Sequence, residues 1–418
     1  MKGNYFRSKG IFKKCPPVRL GILSLYNSKN YSSILAYPSI FWNRYDGLMA
    51  GMTFRSPILP RNKWHWSLSP KYAFNTARIT GSGTVNYRIN LNKGALDFVK
   101  IGLNVKHYSY QRGFQDYFNQ YYHAEPFLAI QFRTSLTKLT TSKLKFSVFS
   151  IIDNVRNSDP QSGNETIVKE RYFIPKISYY YSDPSIISPH AFNASIYYEK
   201  YKTIQDQQAQ YIRTDLEFRN DWRLSRKRYF SARWAMSFFP VNTERERQSA
   251  AVRTDQHFIR GTAGSAFQGY HDYTNEYNFL GRSATTGLWS QQIEIVQGGM
   301  KIAPGLAQRN NLGNTNKFMV AMNISSDIPV KWVGRIFRPY FDVVYLEPVS
   351  GGEKSKWLYS GGIGLNIVPK FFEIYLPIIN SSNITEIYKS ENRPYLKQIC
   401  FSLKLNFEHI RDIANFVQ

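Results

Sequence analysis

The sequence "IRTDLEFRND" (residues 212–221) places a charged side chain at every second position, with mainly apolar side chains between them. The charged positions are Arg213, Asp215, Glu217, Arg219 and Asp221, and the apolar ones are Ile212, Leu216 and Phe218. Successive side chains of an extended chain point to opposite faces. The stretch therefore predicts a β-strand with one charged face and one apolar face.

The same alternation recurs from about residue 33 to residue 407, for example in "VKIGLNVK" (99–106) and "FSLKLNF" (401–407). Strict alternation of apolar and polar residues indicates strands rather than helices. The alternation gives seventeen candidate strands, over residues 33–42, 48–56, 64–76, 80–90, 97–108, 123–135, 142–155, 168–182, 188–201, 208–222, 227–238, 287–300, 316–327, 337–348, 355–368, 371–379 and 396–407.

The length of these strands distinguishes a soluble fold from a membrane fold. Many contain ten residues or more, whereas an average strand of a globular protein has about 5–6. A tilted strand that crosses a membrane needs about 9–11 residues. The polar faces suit a hydrated interior, and the apolar faces end in aromatic residues, as in transmembrane barrels. We predict an all-β fold, a closed antiparallel outer-membrane β-barrel.

The connections differ in length, which also favours a barrel with short turns on one side and long loops on the other. The predicted tight turns are 43–47, 224–228 and 368–370, and the predicted long loops are 109–122, 156–167, 239–286, 301–315 and 380–395. A bacterial single-chain barrel has an even number of strands. Either residues 247–260 add a strand or residues 287–300 belong to a loop, so we predict about sixteen strands, with eighteen as the alternative.

This pattern divides the chain into three parts. Residues 1–32 lack the alternation and are predicted to be a periplasmic lead-in or linker. Residues 33–407 form the barrel, with 239–286 as a long loop able to act as a plug or lid. Residues 408–418 are a C-terminal tail. The basic start of the chain is followed by a short apolar run and no cleavage site, so it does not match a signal peptide. We expect either an export signal elsewhere or a chain that is a piece of a longer one.

The composition excludes several classes of protein. The 418 residues carry a net charge of +25, but the 54 Lys and Arg residues are spread along the chain. Nucleic-acid-binding arms have dense basic runs instead. The mean hydropathy is −0.41, and no apolar run approaches the roughly 18 residues of a spanning helix. The two cysteines, Cys15 and Cys400, are too few for a disulfide framework.

No motif for catalysis or metal binding is present in the sequence. The closest pair among the seven histidines, His257 and His271, is fourteen residues apart, which excludes an HExxH zinc motif. Nucleophile elbows, Walker loops and dinucleotide-binding loops are absent as well. We therefore predict no catalytic residue, no metal ligand and no cofactor in this chain.

Four features remain candidates for a functional or structural role. The charges of residues 212–221 are interpreted as a ladder of ion pairs facing the lumen, with a substrate path as the alternative. Asp342 lies on an otherwise apolar face and needs a cation if it is buried, and Arg260 is the candidate partner. The loop 269–283 either contacts a carbohydrate or peptide or packs over the barrel mouth. The glycine pairs at 298–299 and 361–362 are interpreted as bulges or bends within strands.

Several segments together resemble the C-terminal barrel of large membrane-associated zinc aminopeptidases of the gluzincin type found in Bacteroidetes. The segments are "PSIFWNRYDGLMAGMTFRSPILPRNKWHWSLSPKYAFNT" (38–76), "EYNFLGRS" and "SQQIEIVQGGMKI" within 276–302, "FMVAMNISSDIPV" (318–330), and "EIYLPIINSSNITEIY" and "KQICFSLKLNF" within 373–407. The last third is more loosely similar to BamA-type and surface-antigen barrels. Arg260-Gly261 stands where those proteins carry an Arg-Gly pair in an inward-folded loop, although Thr262 replaces the aromatic residue that follows. Asp342 stands where they carry the strand acid that contacts this arginine.

The peptidase resemblance implies a non-catalytic membrane anchor in the bacterial outer membrane, because a gluzincin needs HExxH and a downstream glutamate, and its peptidase domain would precede the barrel. The alternative is a stand-alone pore or a BamA-like transport or assembly barrel. Expected partners are outer-membrane lipid, including lipopolysaccharide, and an N-terminal zinc-peptidase domain or separate subunit. We expect a monomeric barrel with both ends on the periplasmic side. A soluble β-rich binding protein is a weaker alternative, because its strands should be shorter.

Overall fold

The computed structural model of the chain describes residues 5–6, 18–21, 32–57, 63–110, 119–134, 140–158, 165–202, 208–225, 228–244, 257–303 apart from 273, 275 and 278, 312–330, 334, 336–347, 356–368 and 371–403. These residues form the strands β1 (Tyr5–Phe6), β2 (Val18–Gly21), β3 (Ser32–Asn43), β4 (Gly47–Arg55), β5 (Trp64–Ala73), β6 (Arg78–Lys93), β7 (Leu96–Tyr110), β8 (Asn119–Phe132), β9 (Thr141–Ser158), β10 (Glu165–Asp183), β11 (His190–Lys202), β12 (Gln208–Ser225), β13 (Arg228–Asn242), β14 (Ile259–Arg260), β15 (Gly264–Ser265), β16 (Ile293–Glu294), β17 (Asn314–Thr315), β18 (Phe318–Ser326), β19 (Phe337–Leu346), β20 (Trp357–Val368), β21 (Phe372–Asn380) and β22 (Cys400–Leu403). The helix α1 (Ser382–Ser390) lies between β21 and β22. No helix of the described residues is both long enough and apolar enough to cross a membrane.

Sixteen strands form one antiparallel sheet, which we call the wall. It consists of β3–β13 and β18–β22, and each strand pairs with its neighbour along the chain, with β13 pairing directly with β18. Aromatic and β-branched residues on opposite strands pair directly, as Phe192 does with Phe218, and such pairs stabilise a sheet. The short strand β2 adds to the edge of β3 in parallel, with Val18 opposite Ser32.

The predicted strands agree with the wall except at one place. Sixteen of the seventeen overlap wall strands, which confirms the prediction of about sixteen. The strand predicted at 287–300 is wrong, and the alternative that these residues belong to a loop is confirmed, because Leu288–Gln291 forms a 3-10 helix and only Ile293–Glu294 is extended. A turn at Gly299, which has a φ of +66°, ends this segment. Within the other predicted glycine pair, the register of β20 shifts between Gly361 and Gly362, so a bulge is present there as expected.

The two edges of the wall differ in their connections. The strand ends form two opposite borders of the wall. Because the number of wall strands is even, the start of β3 and the end of β22 lie at the same border, which we call the terminal edge; the opposite border is the loop edge. The turns predicted at 224–228 and 368–370 lie at the terminal edge, whereas the connections after β7, β9, β13 and β21 lie at the loop edge. The tight turn 43–47 also lies at the loop edge, contrary to the predicted asymmetry.

Buried polar contacts explain the short turn between β3 and β4. Asp46 is fully buried, and its carboxylate accepts hydrogen bonds from Asn43 Nδ2 at 2.9 Å, Thr76 Oγ1 at 3.0 Å and the backbone N–H of Ser109 at 2.9 Å. These bonds tie the turn to the ends of β5 and β7. Loss of these partners would leave a buried carboxylate without hydrogen bonds, which costs about 1–3 kcal/mol or more.

The two faces of the wall have opposite chemistry. On β12, Arg213 is 3% exposed and Phe218 is 37% exposed, so the charged row of this strand faces inward. We call these the inner and outer faces. The outer face shows large apolar side chains on strand after strand, including Ile79 (71% exposed), Ile101 (53%) and Phe173 (63%). The inner face is buried against a segment of the chain between β13 and β18.

The domain boundaries are described only in part. The predicted lead-in, residues 1–32, contains β1 and β2 among its described residues. The predicted tail, residues 408–418, and the end of the last predicted strand after Leu403 lie outside the described residues. The predicted loop 239–286 is longer than expected, since the wall resumes only at Phe318.

Candidate functional site

Residues 257–303 fold against the inner face of the wall, and we call them the inner segment. Its short strands pair within the connection from β13 to β18: β14 pairs with β17, and β15 pairs with β16. Its apolar residues Ile259, Ile293 and Met300 are buried. The segment is therefore a folded unit with its own hydrogen bonds and not an extended loop.

The aromatic part of the inner segment is closed by a buried ion pair. Arg282 Nη1 lies 3.2 Å from Asp272 Oδ2 and donates a 2.8 Å hydrogen bond to the carbonyl of Gly269. Asp272 also accepts bonds from the hydroxyl of Thr274 (2.6 Å) and the backbone N–H of Tyr277 (3.0 Å). Glu276 Oε1 lies 2.6 Å from Nζ of Lys176 on β10, which places the predicted loop 269–283 on the inner face. Of its two interpretations, packing against the chain's own wall describes the observed arrangement.

The predicted charge ladder lies on the inner face of β12, and each member has a charged partner. Arg213 Nε lies 2.9 Å from Asp215 Oδ1, and Arg219 Nε lies 3.6 Å from Asp221 Oδ1. Glu217 is paired across the strands, with its Oε2 2.6 Å from Nη2 of Arg233 on β13. The ladder is thus a set of local ion pairs.

Two of these arginines also hold the inner segment. Arg213 Nη1 donates to the carbonyl of Phe258 at 3.1 Å. Arg233 Nη2 donates to the carbonyl of Gln297 at 2.8 Å, and its Nη1 donates to Asn323 Oδ1 at 2.8 Å. Hydrogen bonds from a charged guanidinium group are roughly twice as strong as those between neutral groups. The wall and the inner segment therefore share one polar network.

Asp342 on β19 is the centre of this network. It is fully buried, and its Oδ1 lies 2.7 Å from Lys301 Nζ while its Oδ2 accepts the backbone N–H of Lys301 at 2.9 Å. Asn323 Nδ2 donates to Asp342 Oδ1 at 3.1 Å and to the carbonyl of Gly298 at 3.0 Å. The ammonium of Lys301 also lies 4.9 Å from the ring centre of Tyr340. A buried acid with a cationic partner was expected, but the partner is Lys301.

Arg260, the partner predicted for Asp342, lies elsewhere in the inner segment. It is 3% exposed, its residue pairs with Asn314 in a short ladder, and its backbone N–H donates to Gln297 Oε1 at 2.6 Å. The ion pair that the structure describes at Asp342 is formed with Lys301. The sequence signal for Lys301 is a single cation between two apolar residues in "GGMKI", which is a weak signal for a buried lysine.

A cluster of His257 with two tyrosines and a glutamate was not recognised from the sequence. His257 stacks on Tyr201, with ring centres 4.1 Å apart and planes at 21°, and lies edge-on to Tyr211 at 5.3 Å. The Tyr211 hydroxyl donates to Glu199 Oε2 at 2.7 Å, and His257 Nε2 lies 3.6 Å from the same oxygen. The inner segment thus begins on β11 and β12. Spacing in sequence gave no sign of this cluster, since its members come from three elements.

Two tyrosines outside the wall strands hold other parts of the inner segment. The Tyr45 hydroxyl donates to the carbonyl of Ser283 at 3.4 Å, and burial raises the pKa of Tyr45 to about 12. Tyr388 of α1 accepts the backbone N–H of Ala303 at 3.1 Å, and burial raises its pKa well above the usual range. Both phenols stay protonated at neutral pH, so neither adds a charge to the site.

A cavity of about 650 Å³ lies on the inner face beside the inner segment. Its charged and polar lining combines four cations with four anions. These residues are Glu217, Arg219, Asp221, Arg233, Lys301, Asp327, Arg338 and Glu373. Arg338 Nε lies 2.9 Å from Asp327 Oδ1. A lining that contains both cations and anions favours water and polar molecules. Among the described residues, no group of three His, Cys, Asp or Glu side chains could hold a metal ion.

The inner segment depends on a close approach between two backbones. A Cβ atom on Gly298 would lie 2.2 Å from the carbonyl oxygen of Gly261. We expect Gly298→Ala to cost about 1–3 kcal/mol, as overpacking does, and to expose the inner segment to added protease. Gly364→Ala on β20 is the matched control, because its Cβ would meet a carbonyl oxygen only at 3.3 Å. Equal protease resistance of the two variants would contradict this packing.

No protein-family model and no curated protein sequence matches the chain. Among solved structures, it is similar to BamA from Haemophilus ducreyi lacking POTRA domains 1–3, with a TM-score of 0.44 and 10% identity, over 85% of this chain and 71% of that one. It is also similar to CdiB from Acinetobacter baumannii, with a TM-score of 0.37 and 10% identity, over 85% of this chain and 60% of that one. The predicted link to gluzincin peptidases is not among these similarities and stays a prediction.

Proposed function

We propose that the chain is an outer-membrane β-barrel of the transport or assembly class, with the inner segment as its gate. The observation that carries the proposal is the position of this segment. Polar contacts hold it against β11, β12, β13, β18 and β19, beside a cavity lined by charges. A sheet that surrounds one segment on so many strands is strongly curved. Hydrogen bonds and ion pairs in a wet interior can exchange with water, so such a segment can be released.

Contacts between the two ends of the wall support a closed barrel. The Trp289 ring centre lies 5.5 Å from that of Trp42 on β3 and 6.2 Å from that of Phe401 on β22. Gln292 forms a parallel bridge with Phe401, and its side chain donates to the carbonyl of Leu403 at 3.3 Å. Trp289 therefore contacts the first and the last wall strand at the same time, so these two strands lie close to each other. Closure is the arrangement that removes two exposed sheet edges.

The outer face supports a membrane location. Exposed apolar surface of this extent is unusual for a soluble monomer, where the largest patch is roughly 300–600 Å². The exposed aromatic residues Trp64 and Phe74 lie near opposite ends of β5. Ten residues of strand span roughly 33 Å, and a tilt of about 40° reduces this to roughly 25 Å, the height of the apolar band in such barrels. The terminal edge, with its shorter turns, would face the periplasm.

The second candidate function is a membrane anchor for an N-terminal zinc-peptidase domain. The observation that favours it is the pairing of charges beside the cavity, since the cations Arg233, Lys301 and Arg338 all have anionic partners. Charges that are already paired within the chain do not require a transport role to explain them. In both candidates the chain itself is proposed to be non-catalytic, and any peptidase activity would belong to the other domain.

Conductance of the full chain in a planar bilayer distinguishes the two candidates. The lock variant carries Gln292→Cys and Phe401→Cys in a background of Cys15→Ser and Cys400→Ala. Its disulfide fixes the inner segment to β22. Neighbouring strands lie about 4.7–4.9 Å apart, which falls within the 4.4–6.8 Å window between the Cα atoms of a disulfide. A gate predicts channel openings in the reduced protein, at least tenfold rarer after oxidation and restored by dithiothreitol.

The matched control is a disulfide between Phe372→Cys and Leu403→Cys, which are opposite each other on β21 and β22. This bond joins two wall strands and leaves the inner segment free, so the openings should persist. The anchor function predicts no openings in any of these proteins, reduced or oxidised. A steady open channel in the oxidised lock variant would contradict the gate.

A further inference from the structure

The cavity of about 650 Å³ is lined both by strand ends at the terminal edge and by the inner segment. The strand ends supply Tyr229 of β13, Asp327 directly after β18, and Asn366 of β20. The inner segment supplies Ile295 and Lys301. We call this space the terminal cavity. A molecule bound in it would touch the wall and the inner segment at the same time.

Buried polar atoms of the terminal cavity lack hydrogen-bond partners among the residues that the structure describes. They include Nε of Arg233, Oδ1 of Asp221 and Oδ1 of Asn366. Arg233 is 7% exposed, and the contact between Asp221 Oδ1 and Arg219 Nε, at 3.6 Å, is longer than a hydrogen bond. A buried donor or acceptor without a partner is energetically costly. These atoms therefore require a molecule in the cavity that both accepts and donates hydrogen bonds.

The charges of the terminal cavity are already paired within the chain. All eight charged residues of its lining form ion pairs with one another or with Asp342. The pairs join Arg219 to Asp221, Arg233 to Glu217, Arg338 to Asp327 and Glu373, and Lys301 to Asp342. A charged ligand would have to break one of these pairs or stay buried without a counterion, and both are costly. The cavity therefore favours a neutral molecule.

The volume and the aromatic residues of the terminal cavity suit a molecule larger than water. The lining includes Tyr229, Phe371 and Tyr375, and aromatic side chains offer a large apolar surface that the C–H face of a sugar ring can cover. A hydroxyl both donates and accepts hydrogen bonds, so sugar hydroxyls can pair with Nε of Arg233 as well as with Oδ1 of Asn366. Pockets of roughly 300–1,000 Å³ hold drug-sized ligands, a size that sugars of about two or three rings share.

We propose that the terminal cavity binds a neutral oligosaccharide. Nε of Arg233 donates to a sugar oxygen, Oδ1 of Asp221 and Oδ1 of Asn366 accept from sugar hydroxyls, and Tyr229 packs against a sugar ring. The ion pairs of the lining stay intact in the bound state. The site needs neither a channel opening nor a peptidase domain, so it is independent of both candidate functions.

The test is calorimetric titration of the purified full chain in lauryldimethylamine oxide, a detergent without a sugar headgroup. The neutral probes are maltotriose, cellotriose and triacetylchitotriose. We expect at least one of them to bind at one site per chain with a Kd below about 1 mM. Two charged probes, trigalacturonic acid and the deacetylated chitotriose, should bind at least about tenfold more weakly than the best neutral probe, because the cavity offers no uncompensated charge.

Two substitutions separate a binding role of the lining from a structural one. Asn366→Ala should lower the affinity for the bound sugar about fivefold and Asp221→Ala at least about tenfold, the loss of a neutral and of a charged acceptor. Neither should lower Tm appreciably, because the oxygens that line the cavity accept no hydrogen bond from the described part of the chain. The side chain of Arg219, which loses its partner in Asp221→Ala, is 56% exposed, and exposed ion pairs contribute little. A structural role would lower Tm and leave the affinity unchanged.

The matched control carries Asn90→Ala and Asp97→Ala, which lie near the terminal edge on β6 and β7, outside the lining of the cavity. Its affinity should stay within about twofold of the original chain. A cavity that holds water alone would bind no neutral probe at about 10 mM, a Kd far weaker than expected, and this would overturn the proposal. Charged probes that bind as tightly as neutral ones, or an equal loss of affinity in the control, would overturn it as well. If a cavity variant does not fold, the preference of the original chain for neutral over charged probes still decides.

Discussion

Asp342→Ala is expected to lower the free energy of unfolding by about 3–5 kcal/mol, the largest effect of any single substitution considered for the interior. The reason is the ammonium of Lys301, whose side chain is 6% exposed and lies 2.7 Å from the Asp342 carboxylate. Removing the acid leaves this charge buried without compensation. The same change removes an acceptor from Asn323 and from the backbone N–H of Lys301. Urea unfolding in detergent micelles, followed by tryptophan fluorescence, measures the loss.

The double variant Lys301→Met with Asp342→Asn is the control for this prediction. It removes both charges together, and the asparagine keeps one oxygen, which can still accept the backbone N–H of residue 301. The bond from Asn323 to the second oxygen is lost, but Asn323 keeps the carbonyl of Gly298 as an acceptor. Replacing a complete buried ion pair by neutral groups is often close to neutral for stability, so we expect a loss below about 1 kcal/mol. If the double variant were as unstable as Asp342→Ala, the loss of stability would come from the changed size and shape of the side chains and not from an uncompensated charge.

Leu216→Arg is expected to impair membrane assembly strongly, because it places a cation on the outer face. Leu216 lies opposite Ala194 on β11 and Met236 on β13, within the apolar row that leads to Phe218. A lysine or arginine on the lipid side of a barrel costs about 2–4 kcal/mol near the bilayer midplane. The folded fraction after insertion into phospholipid vesicles, read from gel mobility without heating, reports this cost.

Glu217→Gln is the control on the neighbouring position of the same strand. Its side chain faces inward, and the amide oxygen can still accept a bond from Arg233, which lies 2.6 Å from the carboxylate. Since Glu217 is also 33% exposed on its side chain, we expect a change within about 1 kcal/mol. Equal tolerance of Leu216→Arg and Glu217→Gln would show that the two faces of β12 are assigned wrongly.

The wall could be predicted from the sequence because its strands have two different environments. A strand with an apolar environment on one side and polar contacts on the other must alternate, and this alternation is visible in "IRTDLEFRND". The same rule explains the error at 287–300. Part of that segment, "IEIV" (293–296), also alternates, because it packs with one side on the wall and the other within the inner segment. Alternation in the sequence shows that the two faces of a strand have different environments, but it does not identify the surface that each face contacts.

The contacts of the candidate site could not be predicted in the same way. An acid at position 342 required a cation, but Arg260 and Lys301 both satisfied that requirement in sequence. The choice depends on how the inner segment turns at Gly298 and Gly299, where Gly298 lies against the backbone of Gly261. Such a close approach between distant backbones leaves no periodic signal. The ladder on β12 was easier to recognise, since two of its ion pairs join residues only two positions apart.

The contacts of Trp289 with both ends of the wall have a consequence for the order of folding. Wall strands pair with their neighbours along the chain, and such local pairings form quickly, whereas contacts between distant residues are slow. The inner segment makes the distant contacts: Tyr45 and Ser283 are separated by 238 residues, and Gln292 and Leu403 by 111.

Because Gln292 bridges directly to Phe401 on the last strand, β22 can dock completely only where the inner segment is already in place. We infer that the segment folds inside a still open sheet and that docking of β22 is the final step. Pulsed hydrogen exchange during refolding would measure this order directly, and protection of β22 before the inner segment would contradict it. The sheet is therefore completed by β22 only in molecules whose inner segment has already folded into its correct position.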